Sequence, residues 1–326
     1  MSDGAVTFAG QTGQPYLRTG RMRTFLSRMF RQKPLASAGL VIFAVFCLVG
    51  LFADVMAPYG MNETSVIDRL QAPSSTHWLG TDDLGRDLLS RIIYGARISM
   101  IVGVTSALLS IAISTLVGLI SGYFGGVLDI VVQRLVDAIT SFPILILVLV
   151  VMSVTGPGLI QVIMVMGIRS GIVTSRVTRS DVLRVKEQVY VQAAKVAGGT
   201  APWILWRHIL PNVLPTVIVL FATRMPTLIL LEASLSFLGF GVPPPAPSWG
   251  GMLGGSSITY MLQAPWMALW PGLALASVVF GINMLGDGVR DLLDPRMVGG
   301  GGRFGAQPTA KAIAALRYRI AGRRAR

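Results

Sequence analysis

The residues able to carry chemistry are few and scattered. His77 and His208 are the only histidines and Cys47 is the only cysteine, so no intrachain disulfide can form. None of the lysines, Lys33, Lys186, Lys195 and Lys311, follows a glycine, which excludes a G-x-x-x-x-G-K-[ST] phosphate loop. There is no H-E-x-x-H, no cysteine pair and no G-x-S-x-G, so neither a metal site nor a catalytic residue is expected. What remains is charge in unusual places. Asp82, Asp83, Arg86 and Asp87 crowd one short segment. Arg169, Arg224 and Glu232 stand in otherwise apolar surroundings. An arginine at membrane depth costs roughly 2.5–3.5 kcal/mol on the insertion scale unless it has a partner or a cavity. Arg169 and Arg224 therefore pair with Glu232 or Asp137, snorkel to an interface, or face a passage where they favour an anionic group.

The elements that hold these residues are membrane spans. The chain is 52% hydrophobic and 13% charged, against about a quarter charged for a soluble domain. No charged residue occurs between Arg97 and Asp129, between Asp137 and Arg169, or between Glu232 and Asp287. Such runs read as helices crossing about 30 Å of hydrocarbon, because backbone polar groups in lipid must pair internally. Six spans are expected, at about 34–55, 97–122, 127–155, 157–175, 213–239 and 266–288. Lys and Arg concentrate before the first span, between the fourth and fifth, and after the sixth. An even span count puts all three segments on one side, which the positive-inside rule makes cytoplasmic, with both termini. The same rule accounts for the net charge of +13 without nucleic acid, since no basic stripe carries interleaved aromatics. No cleavable signal peptide is expected.

On the opposite side lie 57–97 and an uncharged loop at 240–265. For Asp82, Asp83, Arg86 and Asp87 two readings stand: a solvated helix start, with acids favoured at the first turn, or an outer contact with another protein. Arg134 and Asp137, three apart, suit a structural ion pair. Residues 1–33 read as a cytoplasmic, partly disordered segment, 34–295 as the membrane domain, and 296–326 as a basic cytoplasmic tail. That tail either lies on the anionic leaflet or is simply solvated.

The most informative water-exposed segment is VYVQAAKVAGGTAPWILWRHILPNVLP, 189–215. Gln192 to Val196 favours helix, Gly198 and Gly199 break it, and Pro202 suits the first turn of a second short helix ending near His208. Trp203, Ile204, Leu205 and Trp206 are too apolar for an unattended loop. They dock a soluble partner or lie against the chain's own spans. This segment resembles the coupling loop of importers of the ATP-binding cassette class. Gln192, Ala193, Ala194, Gly198, Leu210 and Pro211 match its pattern, with Gln192 where Glu is usual. His208 stands as it does in the RHILPN of the dipeptide/oligopeptide branch. HWLGTDDLGRDLLSRIIYGARISM (77–100), EASLSFLGFGVPPPAPSWGGML (232–253) and NMLGDGVRDLLDPR (283–296) resemble the same branch, and point to its second permease subunit.

The resemblance implies an all-α, six-span type I permease fold in a bacterial inner membrane. The expected partners are a paralogous permease, two cytoplasmic ATPase subunits that bind the ATP and Mg, and an extracytoplasmic binding protein. No cofactor is expected in this chain and no enzymatic step. The implied cargo is di- or oligopeptides, whose carboxylate Arg169 or Arg224 would suit, with nickel or glutathione as alternatives within the branch. From another class, an ion-driven secondary transporter would predict internal inverted repeats.

Overall fold

The structure, a computed structural model, describes residues 29–31 and 33–293. The expected N-terminal segment and basic tail lie almost wholly outside these residues. Among the described residues every regular element is a helix, and the sole β feature is one bridge between Thr81 and Asp87. Five helices are long and apolar enough to cross a membrane, and a bent pair makes a sixth span if its two arms are counted together.

Helix α1, Pro34–Leu51, opens on a proline, which is tolerated in the first turn because its missing N–H would have no helical acceptor there. A short α2, Ala53–Met56, follows. Helix α3, Leu88–Phe124, has 37 residues, or about 55 Å at 1.5 Å per residue. It therefore begins nine residues before the expected span at Arg97. The cause is Asp87, whose carboxylate caps the helix by accepting from the Ser90 amide at 2.8 Å. The early arginines are satisfied by protein: Arg97 donates to the Gly50 carbonyl at 2.8 Å and pairs with Asp54 at 2.7 Å.

The expected single run at 127–155 is two helices. These are α4, Gly126–Thr140, and α5, Ile144–Thr155, bent by 89°. Pro143 supplies no amide hydrogen and disfavours helical geometry at Phe142. Helix α6, Leu159–Lys186, extends 11 residues beyond the expected end at 175. It packs along α3 on a seam of small residues. A Cβ on Gly171 would lie 2.7 Å from the Ser110 carbonyl oxygen, and one on Gly118 would lie 2.7 Å from the Thr178 side chain. Ser110 bonds Ser170 at 3.0 Å and Ser114 bonds Thr178 at 2.9 Å across the same seam. Without a hydrophobic driving force in lipid, such close packing and interhelical hydrogen bonds hold the pair.

Helices α7, Val189–Val196, and α8, Ala201–Ile204, form a hairpin. The chain then passes through a π turn, Leu205–Ile209, into α9, Leu210–Phe237. Two short helices, α10, Trp249–Leu253, and α11, Ser256–Thr259, precede α12, Trp266–Leu293. One end of the bundle is thus a cap built from 57–87 and 240–265, and the other end carries the 189–209 hairpin. Helices α1 and α12 approach closely where Gly39 meets the Gly281 carbonyl.

The cap is packed rather than a solvated loop. Trp249 is fully buried and its indole donates to the Ile92 carbonyl at 3.1 Å. Gly95 leaves room for that ring, and Gly250 lies directly against the backbone of Ala233.

Candidate functional site

The hairpin is built on the last turn of α6. Its buried side chains form a small core in which Val191, Ile204, Ile209 and Val213 meet Val182 and Val185 of α6. This contact fixes the hairpin to the bundle and decides which of its residues face outward. Helix α7 ends in a glycine turn: Gly198 has φ +84° and its amide donates to the Lys195 carbonyl at 3.0 Å, while the Gly199 amide donates to the Ala194 carbonyl at 3.0 Å. Only glycine takes such a φ without steric cost, and the turn satisfies carbonyls that the helix end would leave unpaired.

The second helix differs from the expected separate element. It starts at Ala201 and runs on into α9, so 201–237 is one continuous helical stretch. The π turn lets the Leu210 amide reach the Leu205 carbonyl. Pro211 has no amide to bond, and a π bulge absorbs such an interruption without ending the helix.

The four apolar residues of this stretch divide between the two readings. Ile204 is fully buried against the subunit's own core and Leu205 packs beside it. Trp203 and Trp206 are 50% and 75% exposed, and Val189 and Val196 of α7 are 84% and 90% exposed. Ala193 is also exposed, and Val189, Ala193 and Val196 share one face of α7 at the i, i+4, i+7 spacing. The outward surface of the hairpin is therefore apolar.

Three further contacts tie α7 to the bundle. The Gln192 amide donates to the Lys186 carbonyl at 3.0 Å, closing the end of α6. Lys186 and Lys195 both lie over the Tyr123 ring, at 5.9 and 5.5 Å, a cation–π arrangement that brings the end of α3 under the hairpin. The His208 ring meets Trp203 edge-on at 4.8 Å, with Tyr190 at 6.2 Å. His208 is thus an aromatic wedge inside the hairpin. Burial pushes the Tyr190 phenol above its ordinary range, with Arg184 pulling the other way, so the ring stays neutral at physiological pH. Tyr123 carried no signal in the sequence, because it sits at the end of a different span and meets its lysines only through the fold.

The other expected sites lie elsewhere. Asp82 and Asp87 are each 4% exposed, which corrects the solvated helix start. Asp82 accepts from the Leu84 and Arg86 amides at 2.9 Å and from the Arg86 side chain at 2.6 Å. Asp87 joins the helix cap to His77 at 3.0 Å. Asp83 accepts from Ser256 at 2.9 Å, linking the two halves of the cap. The acids of this segment build the cap itself.

Glu232 is fully buried; its carboxylate accepts from Ser236 at 2.7 Å and from Ser99 of α3 at 3.4 Å. Asp137 pairs with Arg176 of α6, and only at 3.6 Å with an exposed Arg134. Asp129 pairs with Arg179. Neither Glu232 nor Asp137 is therefore the partner of Arg169 or Arg224. Among the described residues no cluster of three or more His, Cys, Asp or Glu side chains is arranged to hold a metal ion.

A bundle of five or six apolar helices with a packed cap at one end and an anchored hairpin at the other defines a multi-pass helical membrane protein. Residues 114–299 match the family described as the binding-protein-dependent transport system inner membrane component, and residues 24–73 match the N-terminal TM domain of oligopeptide transport permease C. The chain belongs to the binding-protein-dependent transport system inner membrane component family. It is 39% identical over 270 residues to the dipeptide transport system permease protein DppC of Alkalihalophilus pseudofirmus, covering 83% of this chain and 88% of that one. It is 38% identical over 288 residues to the glutathione transport system permease protein GsiD of Pectobacterium atrosepticum, covering 87% and 95%. It is 39% identical over 270 residues to the oligopeptide transport system permease protein OppC of Bacillus subtilis, covering 82% and 88%.

Proposed function

We propose that this chain is one of two permeases forming the passage of a peptide importer, and that the 189–209 hairpin is where the ATPases grip it. The observation that carries the reading is the split of the hairpin surface. Ile204 and Val191 are sealed against the bundle, while Val189, Val196, Trp203 and Trp206 stand outside it. A contiguous apolar face on a water-exposed loop marks an interaction surface. The names of the relatives, a dipeptide and an oligopeptide permease, support di- or oligopeptides as cargo. The glutathione permease among them keeps that small peptide within the same reading.

In this reading the hairpin end is cytoplasmic, as are residues 1–33 and 296–326, and the membrane is a bacterial inner membrane. Two ATPase subunits hold ATP and Mg. Their closure pushes on α7. The continuous helix 201–237 and the anchors at Lys186 and Tyr123 transmit that motion to α9, α6 and α3, rocking the passage between inward and outward access. The cap, built from 57–87 and 240–265, meets the binding protein that delivers substrate.

The test is co-purification and uptake in the assembled complex. Val196→Asp with Trp206→Asp places two carboxylates on the exposed face and touches no buried contact. Loss of the ATPase subunits from an otherwise intact permease pair is expected. Retained ATPase subunits with full uptake would place the docking surface elsewhere.

A further inference from the structure

We propose that Arg169 is the point in the passage that holds the carboxylate of the transported molecule. The inference rests on the permease reading above and specifies what the passage selects.

Arg169 lies ten residues into the 28-residue α6, or about 15 Å from its first turn. That is midway through a hydrocarbon layer of roughly 30 Å. Its Nε is buried and has no hydrogen-bond partner, and no carboxylate pairs with it among the described residues. The acids able to reach the middle of the bundle are already committed. Glu232 accepts from Ser236 and Ser99, Asp137 binds Arg176, and Asp129 binds Arg179.

Two turns along the same face of α6, Arg176 reaches Gln133 at 3.2 Å and Asp137, both on α4. In the other direction, Val162 and Met166 are buried with Val148 and Met152 of α5. Along α6, Arg169 falls between these two sets of contacts. The acids of α4 are bound to Arg176 and Arg179, and α5, ILILVLVVMSVT, brings no charge. Residues 140–143 at the bend are exposed. Arg169 is thus left without an anion among the described residues.

A guanidinium at this depth is accommodated beside an anion, in a water-filled passage or by snorkelling to an interface, and midway through the layer the interfaces are farthest away. Its fork of donors matches a carboxylate in the two-bond geometry that a lysine does not reproduce. Every free peptide carries a C-terminal carboxylate, so one arginine recognises the whole class without regard to its side chains.

The experiment uses the assembled transporter in proteoliposomes with tri-alanine and tri-alanine C-terminal amide as probes. The binding protein is the same in every arm, so a change in the acid-to-amide uptake ratio belongs to this chain. Arg169→Gln is expected to lower that ratio at least tenfold, and Arg169→Lys, which keeps the charge without the two-bond fork, to give a smaller fall. An unchanged ratio in Arg169→Gln, or an equal fall for both probes, overturns the proposal. Wild type provides an independent arm even where Arg169→Gln does not assemble. Tri-alanine should protect Arg169 from an arginine-modifying dicarbonyl while the amide does not, and equal modification with both probes overturns the proposal. Uptake of neither probe by wild type overturns the peptide reading and this proposal together, whereas uptake with an unchanged mutant ratio overturns this proposal alone.

Discussion

The Gln192 side-chain amide donates to the Lys186 carbonyl at 3.0 Å, so the first residue of the coupling pattern holds α7 to the end of α6. A glutamate, usual at this position in the family the segment resembles, has no proton to give a carbonyl at neutral pH. It would also place negative charge beside a helix C-terminus, where the peptide dipoles disfavour it. Gln192→Glu and Gln192→Ala each remove a bond of about 1 kcal/mol. Amide hydrogen exchange across residues 189–196 should rise about fivefold. Unchanged exchange in both variants would show that the buried side chains alone hold the hairpin.

Ile204 and Trp206 are two residues apart but have opposite surroundings. Ile204→Ala opens a cavity in the hairpin core and should destabilise the permease by about 2–4 kcal/mol. Trp206 is 75% exposed, so Trp206→Ala should change stability by no more than about 0.5 kcal/mol while weakening ATPase association. Thermal unfolding of the purified permease pair, read beside ATPase retention, separates the two effects. A stability loss in Trp206→Ala matching that of Ile204→Ala would refute the assigned division.

Gly198 has φ +84° and nothing within 4 Å of a Cβ built on it. The cost of a side chain there is therefore in the backbone, roughly 1–2 kcal/mol for an L-residue in left-handed geometry, and in whatever approaches from outside. Gly198→Val should abolish uptake and release the ATPase. Gly198→Asn, whose side chain tolerates that geometry, should keep more of both. Equal loss in the two variants would argue that bulk at the docking surface, and not the turn, decides the outcome.

Gly171 touches the Ser110 carbonyl and Ile113 of α3. Backbone cannot yield as a flexible side-chain end does, so Gly171→Leu forces α3 and α6 apart at a cost of at least about 1–3 kcal/mol. The expected result is loss of folded protein in detergent, with Gly171→Ala intermediate. Full yield of Gly171→Leu would rule out the close helix approach at this seam.

The sequence by itself determined that the chain is a helical membrane protein, because uncharged runs longer than a bilayer is thick have few stable alternatives to helix. It also placed the break at Gly198–Gly199 and marked 189–215 as the informative segment, since glycine and proline act through local backbone geometry. The tertiary structure alone decided the rest. Trp203, Ile204, Leu205 and Trp206 form one apolar string in sequence, and only packing against Val182 and Val185 of α6 turns it into a buried side and an exposed side. The run at 127–155 reads as one span by hydropathy, and Pro143 with its neighbours bends it by 89°. Asp82 and Asp87 read in sequence as a solvated helix start or an outer protein contact, and they are buried because 57–87 folds back on the start of α3. Arg169 looks able to pair with Glu232 or Asp137, and the fold commits both acids elsewhere. Hydropathy is a property of each residue and its neighbours in the chain. Burial and pairing depend on which distant segments arrive at the same place, and that is set only when the helices pack.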